Sequence, residues 1–131
     1  MPLSADRFIC IREDGPAQGS PLVLITGLGF DLTTWPESLV QGLMERGHRV
    51  IRLDNRDEGR SFRASAPPPT ARQLLTGALP AGQYTVEDMA QDVADALHTL
   101  GIDRADVLGF SLGGMVAVSY THLTLPTTPY V

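Results

Sequence analysis

The residues Gly109-Phe110-Ser111-Leu112-Gly113 form a G-x-S-x-G cluster. A serine hydroxyl of ordinary acidity is a weak nucleophile, and it gains power when a sharp strand-to-helix turn holds its Oγ out at the top of a sheet. Such a turn forces the serine into a strained backbone conformation. It also brings strand and helix so close that the flanking Gly109 and Gly113 must lack Cβ atoms. By itself a Gly-Ser-Gly cluster is an ordinary loop. A strand expected over 106–110 and a helix expected from Gly113 onward favour a nucleophile elbow, with Ser111 as the catalytic nucleophile of an acyl transfer.

Attack on a carbonyl creates an oxyanion, which needs donors already aimed at it. An elbow supplies one from the residue after the serine, here the Leu112 amide at a helix N-terminus. The second is expected from Thr26-Gly27-Leu28-Gly29-Phe30, whose glycines let a backbone amide, that of Leu28, face the same point. A flexible turn is the plainer reading of that loop. Gly27 and Gly29 also begin a G-x-G, but Leu32 stands where a dinucleotide-binding loop needs its third glycine.

The elements that must hold these loops follow from the apolar pattern. Alternation over 7–12 predicts a first strand, and the continuous apolar run 22–26 predicts a strand buried on both faces. Pro36 opens a helix with an apolar stripe of Leu39, Val40, Leu43 and Met44 that stops at Gly47. A strand over 49–53 then completes a parallel strand-helix-strand crossover. The Pro- and Ala-rich stretch 65–82 reads as a surface excursion with at most a short helix near Leu74 and Leu75. Thr85 and Asp88 resemble a capping box ahead of Val86, Met89, Ala90, Val93, Leu97 and Leu100, at helical spacing until Gly101. The expected fold class is therefore α/β, a mostly parallel sheet flanked by helices.

With 131 residues the chain has room for one domain, and its formal charge is −5. All ten basic residues are Arg, which excludes Schiff-base lysines and the phosphate-loop lysine of nucleotide hydrolases. The acidic balance and the scattered Arg46, Arg49, Arg52 and Arg56 argue against nucleic-acid binding. The longest apolar stretch, 22–30, is interrupted by Thr26 and too short to span a membrane, and no signal pattern opens the chain. A lone Cys10, expected as apolar filler in the first strand, can form neither an intramolecular disulfide nor a cysteine metal site. These features predict a cytoplasmic protein with no cofactor and no metal.

Residues 27–36, the run Arg49-Val50-Ile51-Arg52-Leu53-Asp54-Asn55-Arg56-Asp57-Glu58-Gly59-Arg60-Ser61, and the block 84–117 with its elbow together resemble the α/β-hydrolase family of serine esterases. The resemblance is greatest to the branch of methylesterases similar to aclacinomycin methylesterase. It covers about residues 7–119, the N-terminal part of that fold, and implies a carboxylic ester as substrate, Ser111 as nucleophile, and Leu28 and Leu112 as oxyanion donors. Thr26-Gly27 stands where the family often has His-Gly. A serine at 111 in place of an aspartate tells against epoxide hydrolases and haloalkane dehalogenases of the same fold.

The family's triad runs serine, acid, histidine along the chain, yet residues 112–131 hold no Asp or Glu and only one histidine, His122. That residue lies about 16 Å from the serine along a continuous helix. His48 and His98 are expected at the opposite sheet edge from the chemistry. Asp31 and Asp54 lie near the correct edge, but no histidine accompanies them, and Asp54, Arg56 and Ser61 are expected to stabilise their own loop. No triad acid or histidine is therefore expected in this chain. Thr121-His122-Leu123-Thr124-Leu125-Pro126-Thr127-Thr128-Pro129 is expected to break the helix that braces the elbow. Residues 1–119 thus read as the N-terminal part of one hydrolase domain, and 120–131 as an atypical tail resembling translated adapter sequence. Two further expectations are an inactive fragment and self-association through the exposed edge of the elbow strand. A non-catalytic binding module, or half of a split hydrolase, is the alternative.

Overall fold

The computed structural model describes residues 8–64, 70–76 and 83–123. Strands β1 (Ile11–Asp14), β2 (Ser20–Ile25), β3 (His48–Leu53) and β4 (Asp106–Gly109) form one sheet in the order β1-β3-β2-β4. β2 runs parallel to both β3 and β4, and β1 pairs antiparallel with β3. The α/β class and mostly parallel sheet are as the apolar runs imply.

Alternation along β2 explains the two-sided core. Val23 and Ile25 pack with Ile51 and Leu53 beneath helices α3 (Val86–Thr99) and α4 (Leu112–Leu123). Leu22 and Leu24 pack with Val50, Trp35 and Val40 on the side of α1 (Glu37–Glu45). A strand covered on both faces must be apolar throughout, which is why this run shows no polar alternation.

Helix α3 begins at a full capping box. The Thr85 hydroxyl accepts from the Asp88 amide at 3.1 Å, and the Asp88 carboxylate accepts from the Thr85 amide at 2.8 Å. Gly47 (φ 89°) and Gly101 (φ 74°) take left-handed conformations beyond α1 and α3. A short helix, α2 (Ala71–Thr76), lies in the expected surface excursion; residues 65–69 and 77–82 are outside the described set.

Two boundaries differ from expectation. The first strand starts at Ile11, not residue 7, because β3 ends at its partner Leu53 and residues 8–10 bond instead to the loop beyond: Cys10 and Phe8 accept from the Asp54 and Phe62 amides at 3.0 and 2.8 Å. Cys10 consequently precedes the strand. Helix α4 continues through Thr121 to Leu123, and the Thr121 hydroxyl donates to the Ala117 carbonyl at 2.9 Å within the helix, where it does not interrupt the turn. The remainder of the expected break, from Thr124, lies outside the described residues.

Candidate active site

β4 ends at Gly109, and α4 begins at Leu112, leaving Phe110 and Ser111 to turn the chain. Ser111 has φ 55°, one of two non-glycine residues among those described with positive φ. A Cβ on Gly109 would overlap the Gly113 carbonyl and lie 2.7 Å from the Gly114 nitrogen. A Cβ on Gly113 would overlap the Ile25 carbonyl and lie 2.6 Å from the Thr26 carbonyl oxygen. Both glycines therefore meet backbone that cannot rotate away. Ser111 is exposed, and Leu112 is buried beneath it.

The same closeness brings in the loop after β2. A Cβ on Gly27 would stand 3.2 Å from the Ser111 Cβ, and Phe110 donates its amide to the Ile25 carbonyl at 3.3 Å. Gly113 donates to Phe110 and Gly114 to Ser111, at 2.9 and 3.0 Å. Neither the Leu28 amide nor the Leu112 amide has an acceptor among the described residues. A helix start and a tight turn thus leave two backbone donors unspent in the two loops that meet at Ser111.

The loop 26–32 is itself held by the segment after β3. The Asn55 side chain donates to the Thr26 carbonyl at 3.1 Å, Asp54 accepts from the Leu32 amide at 2.7 Å, and Glu58 accepts from the Gly29 amide at 2.9 Å. The parts played by Asn55 and Glu58 escape sequence reasoning; the only hint is the polar run that follows β3. Asp54 also accepts from the Arg60 amide at 3.0 Å, and its own carbonyl accepts from the Ser61 hydroxyl at 2.5 Å. Both bond within their own loop, as expected, and each also reaches beyond it, Asp54 to the Leu32 amide and Ser61 by accepting from the Cys10 amide at 2.9 Å. Arg56 does not: it reaches helix α3 and forms a two-pronged bond with Asp92 at 2.6 and 2.8 Å, because a guanidinium buried between the Phe62 and Tyr84 rings needs a full counter-charge. Asp31 caps the 3₁₀ turn Leu32–Thr34, and bonds from the Thr33 hydroxyl and amide hold its carboxyl below the usual carboxylate range. An aromatic wall adjoins the serine, with Phe30 and Trp35 each edge-on to Phe110 at 5.6 and 5.4 Å between ring centroids.

The described histidines stand apart from this site. His48 opens β3, at the opposite end from Leu53, and its Nδ1 lies 3.3 Å from the Ser20 carbonyl. His98 occupies the last turn of α3, and His122 falls in the last turn of α4. The Ser111 hydroxyl makes no hydrogen bond to any described residue.

Residues 20–127 match the family described as alpha/beta hydrolase fold. The chain belongs to that family. Within the α/β-hydrolase family it is 38% identical over 104 residues to the RutD protein of Variovorax paradoxus, which is named for carbamate hydrolysis, covering 79% of this chain and 33% of RutD. It is 31% identical over 102 residues to the rhodomycin D methylesterase DnrP of Streptomyces peucetius, covering 78% of this chain and 30% of that protein. The enol-lactonase of Burkholderia xenovorans LB400 superposes with a TM-score of 0.67 at 31% identity, covering 86% of this chain and 37% of the lactonase. The chain thus spans about a third of the length of the α/β-hydrolases it matches. No helix among the described residues is long and apolar enough to cross a membrane.

Proposed function

We propose that this chain is the N-terminal part of a serine hydrolase of carboxylic esters, with Ser111 as the nucleophile. The observation that carries the reading is the backbone of Ser111, held at φ 55° between two glycines that touch neighbouring backbone. Such strain in an exposed serine is retained where the hydroxyl must be presented to a substrate.

In the proposed reaction Ser111 Oγ bonds to the ester carbonyl carbon, and the carbonyl oxygen takes the electron pair as an oxyanion. The amides of Leu28 and Leu112 receive it. Collapse expels the alcohol, and water then repeats the addition to release the acid and restore the serine. Each addition delivers a proton to a base and each collapse returns one to the leaving oxygen. That base and its orienting acid are not among the described residues, so they must be supplied from elsewhere, and the 131-residue chain should be nearly inactive. A small-molecule ester is the expected partner. RutD favours a second substrate class, since a carbamate carbonyl passes through the same tetrahedral oxyanion.

The test is to express the source locus from its natural start to its natural stop and to measure turnover of simple aryl esters and carbamates. Ser111→Ala should lower turnover by about 10⁴-fold or more. The 131-residue chain should match that inactive variant. Ester turnover that survives Ser111→Ala, or a natural product devoid of hydrolysis, would overturn the reading.

A further inference from the structure

The Leu28 N–H belongs to the peptide that joins Gly27 to Leu28. That unit is planar and trans, so its N–H points opposite to the Gly27 carbonyl, and whatever holds the carbonyl sets the direction of the N–H. Gly27 has no side chain with which to hold it. A Cβ there would stand 3.1 Å from the Phe110 ring and 3.2 Å from the Ser111 Cβ, so the position must be glycine, whose backbone turns with little steric restraint of its own.

Among the described residues, the hydrogen bond that reaches the Gly27 carbonyl comes from the Phe30 amide, at 3.3 Å. It closes the turn over Leu28 and Gly29 and directs the Leu28 N–H out of that turn. At this length the bond is weak, and turns commonly do without it, so it depends on how Phe30 is held. Phe30 is held twice. Its carbonyl accepts from the Thr26 hydroxyl at 3.1 Å, and its ring stands edge-on to Phe110 with 5.6 Å between centroids. Phe110 immediately precedes Ser111 and donates its amide to the Ile25 carbonyl at 3.3 Å, so the turn is keyed to the elbow.

We infer that Phe30 is a positioning residue for oxyanion stabilisation: its amide, bonded to the Gly27 carbonyl, fixes the peptide that bears the Leu28 N–H and so fixes the aim of that donor. The inference rests on the proposed roles of Ser111 and Leu28. The Phe30 amide is spent on Gly27 and acts only through Leu28. Because an oxyanion hole binds the transition state more tightly than the ester, loss of this control lowers kcat and leaves KM nearly unchanged.

The experiment replaces Phe30 by phenyllactic acid in the full-length product of the locus, which exchanges the backbone N–H for an oxygen and keeps the ring. The Phe30→phenyllactic acid variant should lower kcat about tenfold with KM within about twofold, less than the roughly 10²–10³-fold that removal of a donor costs. Affinity for an aryl trifluoromethyl ketone, which the serine converts to a bound oxyanion, should fall by the same factor as kcat. If this variant does not fold, Thr26→Val and Thr26→Ser decide the matter. Valine releases the Phe30 carbonyl and should lower kcat about fivefold, whereas serine keeps the hydroxyl and should stay within about twofold. Wild-type kcat without the Phe30 N–H, a loss confined to KM, or equal kcat for the two Thr26 variants would overturn the inference, while an inactive Ser111→Ala left the hydrolase reading standing. An active Ser111→Ala would instead overturn the reading on which the inference rests.

Discussion

Ser111 at φ 55° holds a left-handed conformation, which costs a residue with a Cβ about 1–2 kcal/mol. Glycine takes that conformation freely but loses about 0.4–1 kcal/mol through the greater entropy of its unfolded chain. Ser111→Gly should therefore be more stable than Ser111→Ala by about 0.5–1 kcal/mol, although both lack the hydroxyl. Gly113→Ala should do the opposite and destabilise by about 1–3 kcal/mol or more, since its Cβ meets the Ile25 and Thr26 carbonyls. Urea-unfolding midpoints of the full-length variants check both, and an alanine at 111 as stable as glycine would contradict the strain. At this scale the elbow was legible because its glycines and serine are neighbours in sequence. Asn55 and Glu58 were not, because each meets a partner 29 positions away and nothing local marks the pairing.

Helix α3 shows the same division between local and distant information. Its start and stop were legible in Thr85, Asp88 and Gly101, each of which acts on backbone within the same turn. Its attachment to the loop after β3 was not. The Arg56–Asp92 pair joins them with side chains only 8% and 4% exposed, across a separation of 36 residues. Burial alone would pull the Arg56 pKa down, but the bonds to Asp92 outweigh it and hold the guanidinium above its usual value. Asp92→Ala leaves that cation buried without its two-pronged partner and should destabilise the fold by about 3–5 kcal/mol. Arg56→Met combined with Asp92→Leu should recover much of that loss, because no charge is then left buried. Chemical denaturation of the two variants decides it: a double variant no better than Asp92→Ala alone would show that packing, rather than the stranded charge, dominates. The misplaced first strand has a related cause, since residues 8–10 bond to the loop after β3, Cys10 and Phe8 accepting from the Asp54 and Phe62 amides, rather than to a strand. Apolar alternation carries no trace of such bonds.

Across the whole molecule, the order β1-β3-β2-β4 sets the strand that bears the elbow at one side of the sheet. β4 is paired with β2 on its inner side, and among the described residues no strand pairs its outer side. Leu108 is 38% exposed there, beside the half-buried Val107. An unpaired strand edge with apolar side chains is a template for a second copy of itself. The relatives are about three times longer, so the 131-residue chain alone should expose more of this edge than the proteins it resembles. It should then self-associate at tens of micromolar, measured by light scattering after gel filtration. Leu108→Lys places a charge on the exposed position, where it costs little packing and opposes pairing, and should shift the population toward monomer. A monodisperse monomer with a sharp, reversible unfolding transition would contradict the argument, because it would mean that the edge is closed by something other than another chain.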